Sequence, residues 1–255
     1  MKVRRRGMRA APEAEQLPAQ IGDDATMSAR VLSQILERST RVQAPAVKAY
    51  VARLRRAHPD ATPADIVAKL ETRYLAAVMA SGAAVGSAAA FPGIGTLAAL
   101  SAVAGETLVF LEATSVFVLA VAEVHGIPLE QRERRRTLVL AVLVGDESKG
   151  AIADLLGAGR TSGAWLTEGA ELLPLPALSQ LNTRLMRYFV KRYTIKRSAM
   201  AFGKMLPVGI GAAIGGGGNR MMGKKIVNNA RRAFGPAPSR WPVNLHLLPA
   251  IANER

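Results

Sequence analysis

From Leu75 to Leu100 the chain runs for 26 residues without a charge. A stretch of that length exceeds the roughly 20 apolar residues that cross a bilayer as a helix, and no other segment so restricts what the chain can fold into. Its make-up argues against simple insertion. Ten of the residues are Ala, four are Gly and only seven are Leu, Ile, Val or Phe. Large apolar side chains drive insertion, so the run is a marginal spanner, broken besides by Pro92. The helix expected after Pro92 carries Glu106 and Glu112, and an acid at a bilayer centre costs about 2 to 3 kcal/mol. The segment is expected to form the greasy, glycine-lined core of a compact bundle resting on a membrane surface.

Alanine and leucine are abundant, and aromatics make up only 5% of the chain. That composition favours helix and lacks the β-branched and aromatic alternation of strands. The predicted fold is all-α: a single multi-helix bundle with a glycine-rich apolar central hairpin. Residues 1–24 read as a flexible basic arm, 25–236 as the helical domain, and 237–255, rich in proline, as an extended tail. The N-terminus is basic with no apolar stretch behind it and does not read as a signal peptide. The chain has no cysteine, which excludes disulfides and thiolate metal sites.

Helix boundaries are marked by local chemistry. Thr62 suits a cap, Pro63 a first turn, and Asp65 the positive end of a helix dipole. His125-Gly126-Ile127-Pro128 is a stop signal. Helices are expected from near Ala25 through SARVLSQILERS (28–39), over about 45–57, from 63 into the glycines before Pro92, from Pro92 to Val124, from 129 to 144, across 177–204, and after Pro207 to Phe234.

Two short phrases, FPGIGTLAAL (91–100) and LPVGIGAAIG (206–215), repeat a proline-glycine-alanine pattern. The candidate helix-packing residues are Gly82, Gly86, Gly93, Gly95 and Gly105 in the first region and Gly211 and Gly215 in the second. Gly82/Gly86 and Gly211/Gly215 each lie one turn apart on one face. An interior glycine costs about 1 kcal/mol of helix propensity against alanine, which close backbone packing can offset. The helix after Pro92 and the helix after Pro207 are therefore expected to lie side by side, Gly93–Gly105 against Gly209–Gly218.

Glu106, Glu112 and Asn219 are the candidate buried polar residues. An acid inside an apolar helix is expensive unless paired, so each carboxylate is expected to meet an Arg, a Lys or a backbone donor. A proton or cation site is the alternative role.

The net charge is +15, and Leu172–Arg255 holds fourteen Lys/Arg against the single acid Glu254. Such asymmetry implies an anionic partner. In NTRLMRYFVKRYTIKR, Arg184, Arg187 and Lys191 fall on one stripe, with Leu178, Leu185, Phe189 and Tyr193 roughly opposite. With Arg192, Lys196, Arg197, Lys224 and Lys225 they form the candidate anionic-surface set. A basic amphipathic helix suits an anionic membrane. It also suits a soluble protein that binds nucleic acid or an acidic partner, to which Arg134, Arg135, Arg136, Arg231 and Arg232 could contribute. Neither a nucleic-acid-binding motif nor stacking aromatics support that second reading.

No chemistry is legible. Gly218–Lys225 fits G-x-x-x-x-G-K, but Lys225 stands where magnesium needs Ser or Thr, and no strand precedes it. His58, His125 and His246 have no metal-ligand spacing. No catalytic residue, cofactor or metal is expected.

FPGIGTLAALSAVAGETLVFLEATSVFVLAVAEVHGIPLEQRERRRTLVLAVLVG (91–145) resembles the central part of EcsC-family proteins, and LPVGIGAAIGGGGNRMMGKKIVNNARRAFGPAP (206–238), with Asn219, Ala230 and Phe234, resembles their C-terminal segment. The likeness covers about residues 65–236 and is greatest to the arginine-rich actinobacterial branch. It implies a helical, membrane-associated, non-enzymatic protein on the cytoplasmic face, an accessory of a transport or envelope system with a transporter component as a possible partner. It carries no catalytic residues to transfer.

Overall fold

The structure, a computed structural model, describes residues 44–88, 96–146, 174–201 and 210–242, with Gln34, Ser148, Gly150, Ala151, Leu166 and Thr167. Within these, 85–88, 96–104, 191–201 and 210–216 are described as backbone alone. The described residues form six helices and no strand, and 83% of them are helical. The fold is all-α, as composition predicts. The helices are α1 (Ala44–Ala57), α2 (Pro63–Ala88), α3 (Thr96–Val124), α4 (Arg132–Val144), α5 (Leu175–Ala201) and α6 (Ile210–Phe234). The helix expected near Ala25 and the glycines Gly93 and Gly95 lie outside the described residues.

The expected punctuation is present. Thr62 Oγ1 accepts the Asp65 N–H at 3.2 Å, and Asp65 Oδ2 accepts the Thr62 N–H at 2.9 Å. This reciprocal pair closes the start of α2. The Thr62 bonds hold the Asp65 carboxyl below the usual carboxylate range. At the end of α3 the Gly126 N–H reaches Glu123 O and the Ile127 N–H reaches Ala122 O, both at 3.0 Å. That is a Schellman closure, and it requires the left-handed φ of +76° that Gly126 adopts.

α3 is the hub. It packs against α1, α2 and α4, and its second half, Phe117–Ala122, is buried without interruption. Gly105–Val124 is long and apolar enough to cross a membrane, and two thirds of it is buried within the bundle. Its polar residues are satisfied locally. Thr114 and Ser115 donate to the carbonyls of Phe110 and Leu111 at 2.7 and 2.8 Å. Tyr74 of α2 meets the Thr114 hydroxyl at 2.9 Å and stacks on Phe117 at 4.7 Å, and burial pushes the Tyr74 phenol up.

The pairing of the glycine helices corrects the sequence expectation. α6 lies along α2, the helix before Pro92, and touches α3 only slightly. A Cβ added at Gly105, Gly217 or Gly218 would meet nothing within 4 Å, so these glycines do not hold an interface. The close approach is at Gly223. A Cβ there would sit 3.0 Å from both Leu75 Cδ2 and Val78 Cγ2 of α2. Gly82 is buried on α2, while Gly86, Gly211 and Gly215 are placed in α2 and α6 by backbone alone.

The acids of α3 need a second correction. Gly105, Val109 and Glu112 share one solvent-facing stripe, so Glu112 is exposed rather than buried. Glu106 is half-buried, and its Oε1 accepts a hydrogen bond from Asn219 Nδ2 at 3.0 Å, a neutral partner rather than a cation. Asn219, buried as expected, also donates to Val78 O at 3.0 Å.

Residues 235–242 are non-helical and pack back on the bundle. Gly235 turns the chain with φ +74°. The chain then crosses to α1, where the Trp241 ring lies under the Arg55 guanidinium at 3.9 Å, and Pro242 packs against Gly126.

Candidate anionic-surface interface

α5 separates its residues by face. Leu178, Leu181, Leu185 and Phe189 recur at helical spacing and are buried, and Asn182 lies in the same stripe. Arg184 and Arg187 lie outside that stripe and are exposed. Beside them Tyr188 is 47% exposed, while Leu175, at the start of the helix and away from the arginine face, is 50% exposed. The backbone carries the helix through Lys191, Arg192, Lys196 and Arg197, whose side chains lie outside the described residues.

Asn182 locks α5 to the start of α4. Its Oδ1 accepts the Thr137 hydroxyl at 2.9 Å, and its Nδ2 donates to the Glu133 carbonyl at 3.1 Å and to Glu133 Oε2 at 2.7 Å. A buried amide with both ends bonded fixes register, because breaking the set leaves orphaned polar groups. The lock sets the Arg132–Arg136 run beside the basic helix, although 45 residues separate Thr137 from Asn182. Within that run Arg132 is exposed, Arg134 buried, and Arg135 and Arg136 half-buried. Arg135 Nη1 donates to the carbonyls of Leu129 and Glu130 at 2.6 and 2.9 Å.

Lys224 and Lys225 are exposed on α6. α6 packs chiefly along α2 and also against α4, with no comparable contact to α5, so these two lysines are not brought into the α5 stripe. Two further cations of the last third are matched within the fold. Arg231 makes a two-pronged pair with Glu71, Nε to Oε1 at 2.7 Å and Nη2 to Oε2 at 2.5 Å. This pairing pushes the Arg231 guanidinium pKa up. Arg232 lies 3.3 Å from Asp146 and donates to Asn229 Oδ1 at 2.8 Å. Asn229 in turn donates to Val142 O at 2.9 Å, satisfying a terminal carbonyl of α4.

Among the described residues no group of three or more His, Cys, Asp or Glu could hold a metal. A shallow open groove between the end of α1 and the start of α2 is lined by His58, Asp60, Asp65, Lys69 and Arg73. A cavity of about 30 Å³ lies beside His125, Glu71, Arg231 and Phe234. Neither aligns a nucleophile with a base.

Sequence reasoning missed Asn182, Asn229, Gly223 and the Glu71–Arg231 pair. Asn182 carried a signal, since a polar residue one position after Leu181 in an apolar stripe must be partnered. The chain matches no protein-family model, no curated protein and no solved structure.

Proposed function

We propose that the protein attaches to an anionic membrane surface through the exposed basic face of α5, as a non-enzymatic accessory on the cytoplasmic side of the membrane. The observation that carries this reading is the exposure of Arg184 and Arg187 on a helix whose apolar stripe is already buried in the bundle. The cations therefore remain available to a partner. Tyr188, exposed next to the two arginines, favours a lipid interface over nucleic acid, because an amphipathic ring suits the headgroup boundary. The resemblance to EcsC-family proteins leads to the same setting and adds a transport or envelope system as the partner class. α3 packs its apolar surface against α1, α2 and α4, which supports attachment at the surface rather than a span.

Each Lys or Arg near an anionic leaflet contributes about 1 kcal/mol. Arg184 and Arg187 together then contribute about thirtyfold in partitioning. The test is flotation of the full chain with vesicles of phosphatidylcholine alone or with phosphatidylglycerol. Preference for the anionic vesicles, lost in Arg184→Glu/Arg187→Glu and reversed by about 0.5 M salt, where the screening length falls to about 4 Å, is the expected result. Weak, equal binding to both vesicles with tight, salt-sensitive binding to DNA or RNA would replace this reading with a nucleic-acid one.

A further inference from the structure

α4 opens with arginines at Arg132, Arg134, Arg135 and Arg136, where the helix dipole favours acids. Its one acid in the first turn, Glu133, is engaged by Asn182. Gln131 at the N-cap is extended and its side chain makes no capping bond. The first backbone bond of the helix is Arg135 N to Gln131 O, at 3.1 Å. The N–H groups of Arg132, Glu133 and Arg134 are thus left at an uncapped, cationic helix start.

Arg134 supplies the second, independent observation. It is 9% exposed, the most buried arginine among the described residues. Its Nε is buried without an acceptor, as is that of Arg135, but unlike Arg135 it has no hydrogen bond on its terminal nitrogens and no carboxylate partner among those residues. Arg231 and Arg232, both far more exposed, each have an acid. A guanidinium cannot shed its charge, and removing even part of it from water without an acidic partner is unfavourable. The Cα–Cβ bonds of a helix tilt toward its start, so a long side chain in the first turn runs back over the free N–H groups. Arg135 runs back in this way, with Nη1 on Leu129 O and Glu130 O.

We propose that the start of α4 binds a phosphate group, with Arg134 as its two-pronged anchor and the first-turn N–H groups as further donors. A planar guanidinium fork matches two oxygens of an oxyanion, and a helix start with free N–H groups accepts the same ion. The exposed Arg132 stands at the rim. Phosphate fits better than a carboxylate because its three or four oxygens can use the fork and the backbone donors together. The group could belong to a lipid headgroup or to a soluble phosphate ester. The site does not depend on the membrane reading, although Asn182 sets it beside α5.

The test is thermal unfolding of the full chain in inorganic phosphate against chloride at matched ionic strength. Phosphate should raise the midpoint saturably in the natural chain. Arg134→Gln should weaken that response by about tenfold or more, as expected for a lost charge-assisted bond, and Arg134→Lys should restore only part of it. If Arg134→Gln does not fold, Arg132→Gln should still weaken the response several-fold. Arg184→Glu/Arg187→Glu should respond like the natural chain, which separates this site from the α5 surface. Vesicles with phosphatidic acid or phosphatidylglycerol at equal surface charge identify the source. Preference for the monoester lipid, lost in Arg134→Gln, assigns a headgroup; equal binding with the inorganic phosphate response intact assigns a soluble ester. A natural chain insensitive to phosphate beyond chloride, or an Arg134→Gln chain that responds fully, overturns the site.

Discussion

Gly223 is the position at which a single methyl group tests the α2–α6 interface. Exchanging a mid-helix glycine for alanine stabilises a helix by about 1 kcal/mol through propensity alone. At Gly217 that is the whole expectation, because a new Cβ there meets nothing within 4 Å. At Gly223 the same methyl would lie 3.0 Å from Leu75 Cδ2 and from Val78 Cγ2, well inside the optimum of about 3.5 to 4.0 Å for two carbons. Leu75 is half-buried and has room to turn. Val78 is completely buried and, being β-branched in a helix, is held to one rotamer. Overpacking of this kind costs about 1 to 3 kcal/mol. Gly223→Ala should therefore be neutral to about 2 kcal/mol destabilising, while Gly217→Ala gains about 1 kcal/mol. Urea unfolding followed by circular dichroism resolves such a difference from the midpoint at constant slope. Adding Val78→Ala should relieve the clash, giving a coupling of about 1 to 2 kcal/mol in a double-mutant cycle. If Gly223→Ala stabilises the chain as much as Gly217→Ala does, α6 does not press on α2 as described.

Two further expectations concern the opposite end of α6. The Glu71 side chain is 10% exposed whereas that of Arg231 is 63% exposed, so the two halves of the pair are unequal. Arg231→Ala strands a buried carboxylate and should cost about 2 to 3 kcal/mol, whereas Glu71→Gln leaves a guanidinium that water can reach and should cost less than about 1 kcal/mol; equal losses in chemical unfolding would contradict this asymmetry. His125 is depressed below the usual histidine range, first by burial, against the opposing pull of the Val121 carbonyl 2.8 Å from Nδ1. A base whose folded value is lowered contributes stability that is complete above its unfolded pKa, about 6.5, and is lost as the pH falls from there through the folded value. The thermal midpoint should accordingly drop between about pH 7 and 5 more in the natural chain than in His125→Phe, and parallel profiles would rule His125 out as the cause.

The helix ends were legible because each is written in a few adjacent residues. Thr62, Pro63 and Asp65 announce the start of α2, and Gly126 can take the left-handed turn that closes α3. The basic stripe of α5 was legible for the same reason, since i, i+3 and i+7 spacing places residues on a face without reference to any partner. Which helix lies against which was not. Both glycine phrases offer small residues, and their likeness suggested a pairing of α3 with α6. What decides the matter is the fit of Gly223 to Leu75 and Val78, a coincidence of positions about 150 residues apart. Glu112 misled for a related reason. α3 is so apolar overall that its acids read as buried, yet Gly105, Val109 and Glu112 lie at i, i+4 and i+7 on one exposed face, and nothing in Val109 itself announces that exposure. Arg134 was visible only as one of three arginines, because burial is a property of the assembled bundle.

The seam between Trp241, Pro242, Arg55 and Gly126 joins the last described segment to the first. α1 and the residues after Gly235 are neighbours in space and about 190 positions apart in the chain. Closing so long a loop carries a large entropic cost, so this contact belongs to the end of folding rather than its beginning. A chain leaving the ribosome presents α1 long before Trp241 has been made. For that interval the Arg55 side of α1 is uncovered, and the seam can close only once Trp241 has been made.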